Sequence, residues 1–138
     1  MSDLLKKAVF EKSGIPLMQK FLDMASVRHK LISSNIANVS TPGYESKDID
    51  FEGELKKAVD NRRHIQGAVT DPAHIPLGQN RDEEPKVIVN RSKDGNGINN
   101  VDADKEMAGL ATNQIYYSIG ATLLQKKFEG LRTAIKSK

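Results

Sequence analysis

The chain has 138 residues, of which 38% are hydrophobic, 5% aromatic and 28% charged, and 21 Lys and Arg against 18 Asp and Glu give a net charge of +3. That is room for one domain of ordinary size with a lean core, and no run of about 18 apolar residues is present to span a membrane. The absence of cysteine excludes a disulfide scaffold, a thiolate metal site and a Cys nucleophile, and a surplus of three charges is too slight to imply nucleic acid.

The opening Met1-Ser-Asp-Leu-Leu-Lys-Lys7 has neither an apolar h-region nor a small-residue cleavage site, so no cleaved secretory signal is expected. Leu4, Leu5, Ala8 and Val9 fall at helical spacing and predict a short separate helix over residues 1–12, ended by Ser13-Gly14. A long helix follows from about Ile15 to Val39, with Pro16 in its first turn, where the missing N–H costs nothing. Met18, Leu22, Ala25, His29, Ile32, Ile36 and Val39 form its main apolar line, with Leu17, Phe21, Met24 and Leu31 beside it. Thr41-Pro42-Gly43 ends it, because a residue before Pro is pushed out of the α region. Asn35 and Asn38 near that end read as helix-terminating residues or as polar positions that fix register.

The middle, residues 41–98, holds four of the five Pro and six of the ten Gly, and only 16 of its 58 residues are apolar. It is expected to be an extended, flexible insertion, with a short helix at Phe51 to Val59 and a strand at Lys86 to Asn90 in a hairpin-like arrangement. The C-terminal segment carries the cleanest periodicity: Met107, Leu110, Gln114, Tyr117, Ala121, Leu124, Phe128, Leu131 and Ile135 alternate three and four apart. A helix from about Val101 to Lys136 would be roughly 54 Å long, more than a compact globule of this size can enclose. The expected fold is therefore mainly α, with residues 13–40 and 99–138 forming a discontinuous core of two long helices paired as an antiparallel coiled coil. A single pair cannot cover both wide stripes, and Ala108, Ala111, Ile115 and Ile119 would stay exposed, which marks an assembly surface.

Candidate chemistry is sparse. His29, His64 and His74 have no metal-ligand spacing, and His29 on the stripe reads as a core or interface histidine. Asp94 to Lys105 resembles a calcium loop but has Asn99 where Gly is needed and Lys105 where Glu is needed. No P-loop, G-x-G-x-x-G or G-x-S-x-G motif occurs. Arg62-Arg63-His64 lacks the aromatic residues of a nucleic-acid surface. No enzyme activity, cofactor or metal is expected.

The block Ser33-Ser-Asn35-Ile36-Ala37-Asn38-Val-Ser-Thr41-Pro42-Gly43-Tyr44 resembles the signature of the bacterial flagellar rod and hook proteins, and Asp48-Ile-Asp-Phe51 continues the likeness. Asp94-Gly-Asn, Val101-Asp102, Glu106-Met107 and the heptad helix fit as well, while Ser40 and an apparent insertion at Gly97-Ile98 depart from the pattern. The short length and the ending Lys126-Lys-Phe-Glu-Gly-Leu-Arg-Thr-Ala-Ile135 resemble proximal-rod members more than the larger distal rod and hook proteins. The resemblance implies a structural subunit of the basal-body rod in the periplasm, exported unfolded by the flagellar type III apparatus without a cleaved signal. Its implied partners are copies of itself, other rod proteins, the proteins of the membrane-ring junction and the export apparatus. Assembly would run through Met18, Phe21, Leu22, Ile32, Ile36, Met107, Leu110, Gln114, Tyr117, Leu124, Phe128, Leu131 and Ile135. A cytosolic coiled-coil adaptor uses the same heptads and remains the rival reading.

Overall fold

The structure, a computed structural model, describes residues 13–63, 84–92 and 97–136. Among them are three helices and two short strands: α1 (Ile15–Ala37), β1 (Lys47–Ile49), α2 (Phe51–Arg63), β2 (Val87–Val89) and α3 (Ala103–Lys136). The helix expected over residues 1–12, the histidines His64 and His74, and part of the calcium-like loop lie outside the described residues.

Each helix begins where local chemistry can satisfy its free N–H groups. Gly14, at φ 83°, supplies the left-handed turn into α1, and the Ile15 N–H donates to Ser13 Oγ at 3.2 Å. Asp50 caps α2, its Oδ1 accepting from the Gly53 N–H at 2.9 Å, and Glu52 and Glu54 suit the positive end of that helix. Asp102 caps α3 in the same way, with Oδ1 accepting from the N–H groups of Asp104 (3.1 Å) and Lys105 (3.2 Å).

The two long helices pack on each other and run in opposite directions: Asn35 meets Glu106, Ala25 meets Asn113, and Phe21 meets Gly120. Their seam is not the heptad stripe that the sequence predicts. Only Asn113 and Gly120 are fully buried on α3, whereas Met107, Gln114, Tyr117, Phe128 and Ile135 are exposed and Leu110, Leu124 and Leu131 are half-buried. Small residues let the two backbones approach, as Ala25, Gly109 and Gly120 do here. A Cβ at Gly120 would come within 2.8 Å of the Phe21 ring, while one at Gly109 would meet Ile32 Cδ1 at an ordinary 3.7 Å. On a helical wheel the heptad stripe is rotated by roughly 65° from this seam.

The second apolar line of α1 is covered by the middle of the chain. Met24 and Ala25 are fully buried with Ile49 and Phe51, and Phe21, Val27, Leu31 and Leu55 pack around them. Phe21 meets Phe51 edge to face, with ring centroids 5.2 Å apart, and Tyr116 of α3 closes the cluster. So Phe51 does more than open α2: it brings the middle segment into the core. Helix α2 runs to Arg63, beyond the expected Val59.

β1 and β2 pair antiparallel, Lys47 opposite Val89 and Ile49 opposite Val87. This is not the local hairpin expected, because residues 50–86 lie between the strands and the partner β1 carries no strand-like pattern of its own. The Asn90 N–H donates to the Ser46 carbonyl at 2.8 Å, and Asn100 bridges the pair from the α3 side, accepting from the Ser46 N–H at 2.8 Å and donating to the Asn90 carbonyl.

Candidate functional site: the signature turn and the open face of the helix pair

The segment from Asn35 to Tyr44 is a knot of hydrogen bonds. Asn38 closes α1 at its C-terminus, its Nδ2 donating to the Ser34 carbonyl at 2.8 Å and its Oδ1 accepting from Thr41 Oγ1 at 3.1 Å. Thr41-Pro42-Gly43-Tyr44 is then a β-turn: the Tyr44 N–H donates to the Thr41 carbonyl at 3.3 Å, Pro42 pre-sets its own φ, and Gly43 has φ 72°. That pattern is a type II turn, in which a side chain at the third position would be strained. The Gly43 N–H reaches the Ile98 carbonyl at 3.3 Å.

Two asparagines tie this turn to the C-terminal half of the chain. Asn99 Nδ2 lies 2.9–3.0 Å from the carbonyls of Asn38, Val39 and Thr41, while its Oδ1 accepts from the Val101 N–H. Asn35 is 1% exposed and uses its whole amide. Its Oδ1 accepts from the Lys47 N–H (3.0 Å) and the Tyr44 hydroxyl (3.2 Å), and its Nδ2 donates to the Lys47 carbonyl (2.8 Å) and to Glu106 Oε1 (2.9 Å). Asn35 thereby mimics one more residue of a β-strand against Lys47 and reaches α3 as well. Read from sequence, both asparagines either end a helix or fix its register; the structure gives the terminating role to Asn38 and makes Asn35 a buried polar junction. A signal was available: Asn35 falls on the same helical face as Met24 and Ile32, both buried.

Around this junction lie the charges of the region. Arg28 forms a two-pronged pair with Asp48 at 3.0 and 3.1 Å, on a largely solvated surface where such pairs contribute little. Burial pushes the Glu106 carboxyl above its ordinary range, against the pull of the Asn35 hydrogen bond, and nearby Asp48 adds to the rise. Asp102 goes the other way, held low by the Lys105 backbone N–H and then by the Lys105 side chain. Among the described residues no group of three His, Asp or Glu is placed to hold a metal ion.

The residues expected to form an assembly surface divide. On α1, Ile32 is buried in the fold, and Met18, Phe21, Leu22 and Ile36 are half-buried. Ala37 and His29 are exposed, so His29 is no core residue of the single chain. On α3 the stripe stands open: Met107 is 63% exposed, Tyr117 49%, Phe128 48% and Ile135 76%. Such a row of large apolar side chains is what an assembly surface offers and a self-contained monomer avoids.

An exposed turn tied through the buried Asn35 to two long helices, one of them with an open heptad stripe, defines a helical protein with a surface suited to packing against other chains. The sequence profile described as "Flagella basal body rod protein" matches residues 22–44, from the second half of α1 through the signature turn. The chain is 32% identical over 131 residues to the flagellar basal body rod protein FlgB of Salmonella typhimurium, covering 90% of this chain and 94% of that protein. It is 32% identical over 120 residues to FlgB of Bacillus subtilis (86% and 89%), and 33% identical over 134 residues to FlgB of Borrelia hermsii (93% and 98%). The chain belongs to the FlgB family of flagellar basal body rod proteins.

Proposed function

We propose that this protein works as a structural subunit of the basal-body rod, by assembly with copies of itself and with other rod proteins, and not by catalysis. The observation that carries this is the open stripe Met107, Gln114, Tyr117, Phe128 and Ile135 on a helix whose folding contact is already made elsewhere. A heptad that does not close the monomer is free to pack in coiled-coil fashion against a neighbour. Residues 35–44 then have a positioning role: they fix the angle at which the middle of the chain leaves the helix pair. Membership of the rod family supports a periplasmic place in the rod, export through the flagellar type III route, and contact with the proteins at the membrane-ring junction. No described helix is long and apolar enough to cross a membrane, which fits a subunit held in place by its protein neighbours.

The test is helical content and sedimentation against concentration for the pure chain. A rod subunit gains helix and mass together as it assembles. A chain that is fully helical and strictly monomeric at every concentration would instead support an independent coiled-coil adaptor.

A further inference from the structure

The two-stranded sheet has one outer edge closed and the other open. In the register that sets Lys47 opposite Val89, Ser46 lies opposite Asn90, and the Asn90 N–H donates to the Ser46 carbonyl at 2.8 Å. Antiparallel pairs alternate between hydrogen-bonded and non-hydrogen-bonded. Asp48 and Ile88 therefore bond across the ladder, while the backbone groups of Lys47 and of Val87 and Val89 point away from it. On the β1 side Asn35 fills that edge, accepting from the Lys47 N–H and donating to the Lys47 carbonyl. On the β2 side nothing does: the N–H and carbonyl groups of Val87 and Val89 that point outward have no partner among the described residues. The side chains are equally bare, with Val87, Ile88 and Val89 exposed by 43%, 48% and 37%. Three β-branched residues in a row favour extended backbone, and an apolar edge with free backbone groups is a template for one more strand.

We propose that β2 pairs edge to edge with β2 of a second copy, antiparallel, joining two small sheets into one of four strands. Because Asn35 closes the β1 edge, β2 is the strand that a second copy can offer. Centred on Ile88, the pairing sets Val87 opposite Val89 of the other copy, each such pair exchanging both of its N–H···O bonds, and Ile88 opposite Ile88. Every bare side chain of the strand gains an apolar neighbour. The exposed charges around the strand agree with this direction. Glu84 of each copy comes beside Arg91 of the other, and Lys86 faces the uncharged Asn90. An in-register parallel pair would instead set Lys86 beside Lys86 and Arg91 beside Arg91, a destabilising juxtaposition of like charges. A two-fold contact of this kind closes with two copies and starts no array. It belongs to the free subunit and does not depend on the α3 stripe.

The chain has no cysteine, so introduced thiols report without background. Ile88→Cys puts a thiol at the two-fold axis, where directly opposed Cβ atoms are about 4.5–5.5 Å apart, at the edge of disulfide reach. Val87→Cys is the control, because its own counterpart lies two residues further along the strand, beyond the about 7 Å between Cα atoms that a disulfide spans. Both are made in the full chain carrying Phe128→Asp, which keeps assembly through the α3 stripe out of the readout, and circular dichroism verifies that the helices are kept. The samples are oxidised with glutathione disulfide and run on a non-reducing denaturing gel. The expected result is a disulfide dimer from Ile88→Cys, none from Val87→Cys, and a dimer from a 1:1 mixture of Val87→Cys and Val89→Cys. Sedimentation of the Phe128→Asp chain without cysteine should find a dimer that Ile88→Lys abolishes, since that substitution sets two ammonium groups against each other at a position already exposed in the single chain. An Ile88→Cys chain that stays monomeric, as when the edge takes a strand of another protein, overturns the proposal. So do equal dimer yields from Ile88→Cys and Val87→Cys, which mean random collision, and a dimer that Ile88→Lys leaves intact.

Discussion

Asn35 Nδ2 donates to Glu106 Oε1 at 2.9 Å, joining residues 71 positions apart, and the same amide also pairs with both backbone groups of Lys47. One side chain thus connects the end of α1, the first strand and the start of α3. The signature that marks this family in sequence is, physically, the set of residues that makes that junction.

Asn35→Ala leaves the part-buried N–H and carbonyl of Lys47 without the side-chain partner that the buried Asn35 supplies, and takes a hydrogen bond from Glu106. Groups left unsatisfied where water is partly excluded are costly, so a loss of about 1–3 kcal/mol is expected in chemical unfolding. Hydrogen exchange at the Lys47 amide should accelerate more than exchange in the middle of α3. An unchanged Lys47 amide would show that Asn35 does not hold the strand.

The three glycines of α3 should respond differently to alanine. Gly120→Ala gains helix propensity but drives a methyl into the Phe21 ring and Leu22, and a net loss of about 1–2 kcal/mol is expected. Gly130→Ala meets nothing within 4 Å and should stabilise by up to about 1 kcal/mol. Gly109→Ala, with only Ile32 Cδ1 at 3.7 Å, should follow Gly130. Thermal unfolding of the three variants checks the order; equal effects would mean the helices do not close at Gly120.

The Glu106 carboxyl gives stability a pH dependence of predictable sign. Its folded value is raised above the ordinary 4.5, chiefly by burial, so the folded state holds this proton more tightly than the unfolded chain. The stability it contributes is present below about pH 4.5 and is lost as pH rises through the raised folded value. Glu106→Gln cannot titrate and should flatten that part of the stability–pH curve. Asp102 runs opposite: its folded value is lowered from 3.8, so its contribution is present above that pH and is lost as pH falls through the lowered value. Asp102→Ala should fray the first turn of α3 and abolish that acid-side loss.

The helices were legible because their periodicity and caps are local. Pro16, the Thr41-Pro42-Gly43 stop and the apolar repeats of α1 and α3 each act within a few residues. The seam between α1 and α3 was not legible, because periodicity weighs large apolar residues and the seam is made by Gly109, Asn113 and Gly120. The strongest heptad in the sequence therefore records a surface left open by folding, not the one that folding closes. The strand β1 was missed for a related reason: Lys47-Asp48-Ile49 has one buried side chain, and its position is set by Asn35 and by β2, both distant in sequence. Phe51, expected only to begin a helix, is held in the core by Phe21, a contact no local pattern encodes.

The central claim is that the open stripe of α3 serves assembly and not folding, and Phe128→Asp tests it most directly. Phe128 is half exposed and lies on the stretch of α3 farthest from the Asn35 junction, so the purified variant should match the parent in helical content and unfolding midpoint at low concentration. In cells that depend on it for motility, it should leave basal bodies without a rod, seen by electron microscopy, and the cells should not swim. Complete rods and swimming cells carrying Phe128→Asp would contradict the account.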